Sequence, residues 1–297
     1  MAQPPMNPDD PRGWGRPTWA EVDLDRVAGN VRAVRRIVGE RCKIMAVVKA
    51  NGYGHGAEMI AETALEAGAD SLAVATVDEG IVLRTAGVTA PILILSPISP
   101  GEIPRSLRET LSLTVSNEAT AKLIAAEAER LGSHPTPVHL KLDSGMRRFG
   151  GNLEEVLGAA RFVKRAQSLR LAGLFTHFAD ADAEDRAFTD AQMSSLGECV
   201  SILADHGIAP DAVHASNSAA LLRDRRYHLD MVRLGITLYG LPPSLDFRLP
   251  DEIQPVMSVV STVAHTMVLK PGDTVSYGRT YRATAEERAA LVPIGYA

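Results

Sequence analysis

Eight short apolar runs alternate with helix-length stretches along most of this chain, and few architectures accept that pattern. The runs fall at residues 43–48, 71–75, 91–95, 111–115, 137–142, 171–175, 211–215 and about 229–234. Each but the last is followed by a helical or helix-length stretch, for example residues 57–67, 117–131, 153–166 and 185–206. A strand covered on both faces reads as a continuous apolar run, and a helix between two such strands carries the chain back to start the next one in parallel. The fold class this implies is α/β, a parallel (β/α)8 TIM-type barrel, with an open doubly wound sheet as its rival. Eight runs favour closure.

The flanks read differently. Residues 1–17, rich in Pro, Asp and Gly, are expected to form a flexible tail. The stretch TWAEVDL over 18–24 alternates like a strand and could pair outside the barrel. Asp25 is then expected to cap a helix whose apolar face carries Val27, Val31, Val34 and Ile37. Near residue 250 the helices stop, and PVMSVVSTVAHTMVL, TVSYGRTYRA and AALVPIG read as strands joined by turns such as the one at Lys270 to Asp273. The expected division is a barrel over 18–245 and the start of a β-rich domain over 246–297, incomplete because about fifty residues are too few for a sheet with its own core.

Composition narrows the function. A net charge of −5 and no dense Lys/Arg run argue against a nucleic-acid partner. No stretch of about 18 apolar residues and no apolar leader segment appear, so no membrane partner and a cytoplasmic location are expected. Cys42 and Cys199 stand far apart without a Cys/His cluster, which points to buried free thiols and to no metal site.

In a barrel enzyme the chemistry sits at the carboxyl ends of the strands. Lys49 closes the first apolar run and opens a glycine-rich turn, AVVKANGYGHGA, in which Gly52, Gly54 and Gly56 allow positive φ and a close approach to a ligand. A buried amine there would have a lowered pKa, as a lysine that attacks an aldehyde cofactor needs; a lysine that ends a strand and points to water fits the same residues. Later strand ends supply Lys141 and Arg148, Thr176-His177, His214 with Asn217 and Ser218, and Arg233 followed by Gly235 and Ile236.

With these residues in place the chain resembles the alanine racemases. The motifs that carry the resemblance are AVVKANGYGHG, LKLDSGMRRFG, GLFTHFADAD, VHASNSAA, DMVRLGITLYGL and DTVSYGRTYRA, spread from Trp19 to the end of the chain. The resemblance implies interconversion of L- and D-alanine, as a source of D-alanine for peptidoglycan, by two-base Cα proton transfer on a pyridoxal 5'-phosphate aldimine. It implies Lys49 as the Schiff-base lysine and first base, and Tyr277 as the second base on the opposite face. His177 would contact Tyr277 and be held by Arg233, which would also face the pyridine nitrogen. Tyr53, Ser218, Gly235 and Ile236 would hold the phosphate, with Asn217 either a turn residue or a cofactor contact. Arg148 matches the arginine that reaches the cofactor and the substrate carboxylate. Lys141 is open between carbamylation and an ion pair with Asp143 or another carboxylate, and Asp182 between lining the substrate entry and a solvated loop charge. The resemblance further implies a homodimer with shared active sites, Tyr277 crossing into the partner's.

Family members continue past IGYA, so the sequence is expected to be truncated at its C-terminus, with apolar strand edges left exposed. Alternative functions are a broad-specificity amino-acid racemase, a decarboxylase of the same barrel type, and a fragment that binds the cofactor with little or no activity.

Overall fold

The computed structural model describes residues 17–132 and 135–295. The tail expected over residues 1–17 therefore lies, apart from Pro17, outside the described residues. The chain divides into two compact units, one of residues 23–256 and one made of the segment up to Val22 together with Met257 onward. Residues 246–256, read from the sequence as part of the β-rich segment, thus belong to the larger unit.

In the larger unit eight parallel strands close on themselves: β2 (Lys43–Val47), β3 (Ser71–Val74), β4 (Ile92–Ile94), β5 (Ser112–Val115), β6 (Thr136–Lys141), β7 (Leu169–Phe175), β8 (Val213–His214) and β9 (Met231–Leu234). The closing seam pairs β2 with β9, Ile44 opposite Val232 and Ala46 opposite Leu234. The barrel expected from the alternation is the fold observed, and the open-sheet rival is excluded.

Helices return the chain between strands: α1 (Leu24–Val38), α2 (Ala57–Glu66), α3 (Val77–Thr85), α4 (Ile103–Arg108), α5 (Glu118–Leu131), α6 (Leu153–Arg165), α7 (Ala187–Asp205) and α8 (Ser218–Arg223). Their ends follow local rules. Asn117 caps α5, Asn152 caps α6 with a reciprocal bond from Glu155, and Thr76 with Glu79 forms the same box on α3. The cap of α1 is Asp23, whose side chain accepts the Arg26 N–H, and not Asp25, which sits in the first turn where a carboxylate still meets the positive end of the helix dipole. Val27, Val31 and Val34 are fully buried. From the same helix Asn30, also fully buried, donates to the Leu238 and Gln254 carbonyls and accepts the Gln254 N–H.

Inside the barrel, Met45, Val47, Ala73, Leu93, Ala212 and Met231 pack into one apolar cluster. Burying a side chain of this kind contributes roughly 1.5–3 kcal/mol for the larger members. Cys42 and Cys199 are both free and buried, and burial pushes each thiol up to about 11.

The smaller unit is all β. Strand β1 (Thr18–Val22) pairs antiparallel with β10 (Met257–Ser261), β11 (His265–Leu269) with β14 (Glu287–Leu291), and β12 (Thr274–Val275) with β13 (Tyr281–Arg282). The run PVMSVVSTVAHTMVL, which reads as one strand, is therefore two. Several large apolar side chains of this unit are solvent-exposed, among them Val259, Val268 and Leu291.

Among the described residues no helix is long and apolar enough to cross a membrane, and no cluster of three or more His, Cys, Asp or Glu is placed to hold a metal.

Candidate active site

At Val47 the first barrel strand ends, and the chain turns through an unusual conformation. Ala50, Asn51, Gly52 and Tyr53 all have φ between 51° and 61°, one turn of left-handed helix. For a residue with a Cβ this costs roughly 1–2 kcal/mol, so something must hold the turn. Part of the hold is Glu79, the capping residue of α3. Its carboxylate accepts the N–H groups of Ala50 (2.6 Å), Ala75 (2.7 Å) and Thr76 (3.2 Å), tying the loop after β2 to the loop after β3. Asn51 in turn accepts the first amide of α2, from Ala57. The turn leaves Lys49 half-buried rather than buried, with its Nζ 5.9 Å from the centre of the Tyr53 ring.

Lys49 and Tyr53 line a cleft of about 480 Å³ over the carboxyl ends of the strands. Lys141, Arg148, His177, Asn217, Ser218, Arg233, Gly235, Ile236 and Asp182 line the same cleft. Its walls bring together all but one of the residues that the resemblance assigns to the site. The exception is Tyr277, which lies in the smaller unit in a 3-10 turn flanked by positive φ at Ser276 and Arg279, and is 91% exposed.

Three groups, from Tyr53, Ser218 and Gly235, meet on one wall of the cleft. Ser218 Oγ accepts the N–H groups of Gly235 (3.1 Å) and Thr237 (3.2 Å), which draws the start of α8 against the 3-10 turn Ile236–Tyr239. A Cβ placed on Gly235 would stand 3.6 Å from Ser218 Oγ and 3.7 Å from the Tyr53 hydroxyl, so the three meet around one space. The first-turn amides of two helical segments begin there, and such amides favour phosphate. Tyr53 is seated against Tyr239, ring centres 5.0 Å apart, and burial raises its phenol above the usual range. Asn217 is the N-cap of α8, its side chain accepting the Ala220 N–H.

Arg233 stands at the centre of the cleft floor, 3% exposed. It donates from Nη1 to His214 Nδ1 (2.8 Å), and from Nη2 to His177 Nδ1 (3.0 Å) and the carbonyls of Thr176 (2.7 Å) and Ala215 (2.8 Å). Burial lowers the guanidinium pKa, yet these acceptors suit only a donor, and an arginine stays charged. Burial first, and Arg233 second, hold His177 far below the ordinary histidine range, so its ring is neutral.

Lys141 is buried. Its Nζ donates to the Phe149 carbonyl (2.9 Å) and lies 4.4 Å from the centre of the Phe149 ring. Burial, reinforced by Arg233, lowers this amine to about 8. Among the described residues no ion pair joins it to Asp143, whose carboxylate instead accepts the N–H groups of Gly145 and Arg147. Glu79 was not singled out from the sequence as a site residue. Its one local signal there is the Thr76-x-x-Glu79 spacing of a capping box.

A (β/α)8 barrel whose cleft is lined by a lysine after its first strand, a serine and glycine after its last two and a buried arginine is the class that fold and cleft define. The family model "Alanine racemase, N-terminal domain" matches residues 22–243, and "Alanine racemase, C-terminal domain" matches residues 256–297. The alanine racemase of Symbiobacterium thermophilum is 42% identical over 282 residues, covering 95% of this chain and 74% of that protein. Among solved structures, the alanine racemase of Bacillus anthracis with bound L-Ala-P is 40% identical with a TM-score of 0.85, covering 95% of this chain and 74% of that one. The alanine racemase of E. faecalis is 37% identical with a TM-score of 0.89, covering 96% and 76%. The chain belongs to the alanine racemase family.

Proposed function

We propose that this chain interconverts L- and D-alanine with pyridoxal 5'-phosphate held in the barrel cleft. The observation that carries the reading is that one cleft is lined both by the Lys49 amine and by Tyr53, Ser218 and Gly235, which meet around one space. The donor set fits the cofactor: an amine for its aldehyde, hydroxyl and amide N–H groups for its phosphate, and a buried guanidinium for its ring nitrogen. When bound, the cofactor supplies the electron sink that acidifies the alanine Cα–H.

The protein supplies the proton transfers. Lys49 Nζ takes or returns the proton on one face of Cα, and the phenol of Tyr277, from a second copy of the chain in a homodimer, serves the other. To act as a base a phenol needs cationic support, and the His177–Arg233 pair is the group assigned to give it. Because an arginine cannot readily release a proton, Arg233 would leave a ring nitrogen facing it unprotonated, a weaker electron sink that would limit side reactions. This also disfavours a decarboxylase, which needs an acidic partner there. Arg148 takes the substrate carboxylate. Lys141, with its amine lowered to about 8, holds enough neutral form near pH 7 to take up carbon dioxide, and its carbamate would orient Arg148.

Borohydride reduction of the cofactor-loaded protein followed by peptide mapping tests the site. Label on Lys49 is expected, and label on any other lysine overturns the assignment. Alanine carried in deuterated water should exchange its Cα hydrogen and lose its handedness. Bound cofactor without exchange would instead support a holding protein, release of carbon dioxide a decarboxylase, and equal turnover of several amino acids a broad-specificity racemase. Native mass spectrometry should show Lys141 heavier by one carbon dioxide.

A further inference from the structure

Arg233 is one link in a longer chain of buried rings. Beyond it, His214 Nε2 lies 3.1 Å from Nδ1 of His139, in β6, on the opposite side of the barrel interior from the cleft. His214 is fully buried and His139 is 6% exposed. His139 lines a second cavity of about 310 Å³, bordered by Lys43, Asp70, Ser71, Ser112, Arg170 and Asp211. These residues stand at the amino ends of the strands or just outside them, so the cavity is the barrel floor.

The direction of every hydrogen bond in this chain follows from its middle. A guanidinium only donates, so His214 Nδ1 must accept and its proton sits on Nε2. That Nε2–H faces His139 Nδ1, which must therefore accept in turn, leaving the His139 proton on Nε2 beside the floor cavity. His177 Nδ1 also accepts from Arg233, so its Nε2–H is left over as a donor on the cleft side. The two Nη2 hydrogens of the guanidinium are shared among His177 Nδ1 and the Thr176 and Ala215 carbonyls. Phe175 stacks on His214 with ring centres 4.8 Å apart and planes within 6°, which fixes the ring's orientation.

Backbone geometry is adapted to His139. The pairing of β6 with β7 shifts register between Val138 and His139, so that His139 stands opposite Gly173 and Ala172 is bulged out. A Cβ on Gly173 would collide with the His139 ring at Nδ1, the atom that receives His214.

We propose that His139 is a positioning residue of the active site: by accepting the His214 Nε2–H it locks His214 in the tautomer that can receive Arg233, and thereby fixes how the guanidinium meets the cleft. Without that acceptor His214 either keeps a buried unpaired N–H or moves its proton to Nδ1, where it opposes a guanidinium N–H. In the second case Arg233 loses the acceptor of its Nη1, and the cost of the unpaired N–H in the first favours the second. The effect on catalysis rests on the cofactor and racemase reading given above; the tautomers do not.

The test uses cofactor-loaded protein labelled with 15N in its histidine rings, as wild type and as H139L, H139N and G173A. In the wild type His139, His177 and His214 should all carry their proton on Nε2. In H139L the His214 ring signals should move away from that pattern, the cofactor absorption band should shift, and alanine turnover should fall about tenfold with KM changed less than about twofold. H139N places an amide oxygen where Nδ1 was, so it should keep the His214 tautomer and restore turnover to within about threefold. G173A should resemble H139L. A wild-type His214 protonated on Nδ1, or an H139L protein with wild-type ring signals and cofactor band, overturns the proposal. Should H139L not fold, the wild-type tautomer and H139N still decide. Correct tautomers in a protein that does not racemise alanine would uphold the positioning role and sink the functional reading instead.

Discussion

A single methyl group added at Gly235 would fill the space that Ser218 Oγ and the Tyr53 hydroxyl share. G235A should therefore weaken cofactor retention by about tenfold or more, read by absorbance titration, while leaving most of the barrel's melting temperature intact. Retention equal to wild type would place the phosphate elsewhere. That Gly235, Lys49, Tyr53 and Ser218 could be picked out of the sequence has a physical cause: each comes just after an apolar run, and the residues that leave the carboxyl ends of barrel strands share one face. His139 lacked that cue. It sits inside an apolar run, where a lone polar residue is as well explained by core packing, and only the register shift opposite Gly173 gives it room.

Between elements, Glu79 bears more than its capping box implies. Its carboxylate accepts the amide N–H groups of residues 50, 75 and 76, and the left-handed turn that follows Lys49 begins at the first of them. E79A should cost about 1–3 kcal/mol in urea unfolding and loosen cofactor binding as well, because the freed turn can relax toward ordinary φ. Loss of stability with cofactor binding unchanged would show that the turn holds itself. The order and type of the barrel elements were legible because burial on both faces leaves an unbroken apolar run. The boundaries were less so. The run over 211–215 yields only Val213–His214 as strand, and the cap of α1 is Asp23 in place of Asp25, since two aspartates two residues apart compete for one role and hydropathy does not separate them. A left-handed turn at Lys49 was legible only as glycines, since Ala50 and Asn51 adopt it against their own preference.

At the scale of the whole molecule, two neutral histidines in the barrel axis set an acid limit on stability. Burial brings His139 from 6.5 to about 3 and holds His214 well below its ordinary value. Unfolded, both rings bind protons near pH 6.5; folded, neither does. Between pH 6.5 and about 4.5 the unfolded chain therefore takes up a proton that folded His139 refuses, and stability falls as pH falls, by up to about 1.4 kcal/mol per pH unit for that ring, with His214 and the buried His177 adding in the same direction. Urea midpoints flat across that window would mean the rings are charged when folded.

The reach of the smaller unit is tested by mixing copies. Tyr277, 91% exposed, was legible only through the SYG motif, because nothing in a β-rich segment with short strands marks one tyrosine as a base. If each site takes Lys49 from one copy and Tyr277 from the other, K49A and Y277F homodimers are both inactive. Refolded together, half the dimers are mixed, and each mixed dimer holds one site with both native residues and one with neither. Activity should then return to about a quarter of wild type, the share set by twofold symmetry. If Tyr277 served its own copy's cleft, every site in the mixture would lack one base and activity would stay at the level of the parents. Sedimentation of the mixture must show dimers for either result to count, so the oligomeric state and the sharing of the site are read from one sample.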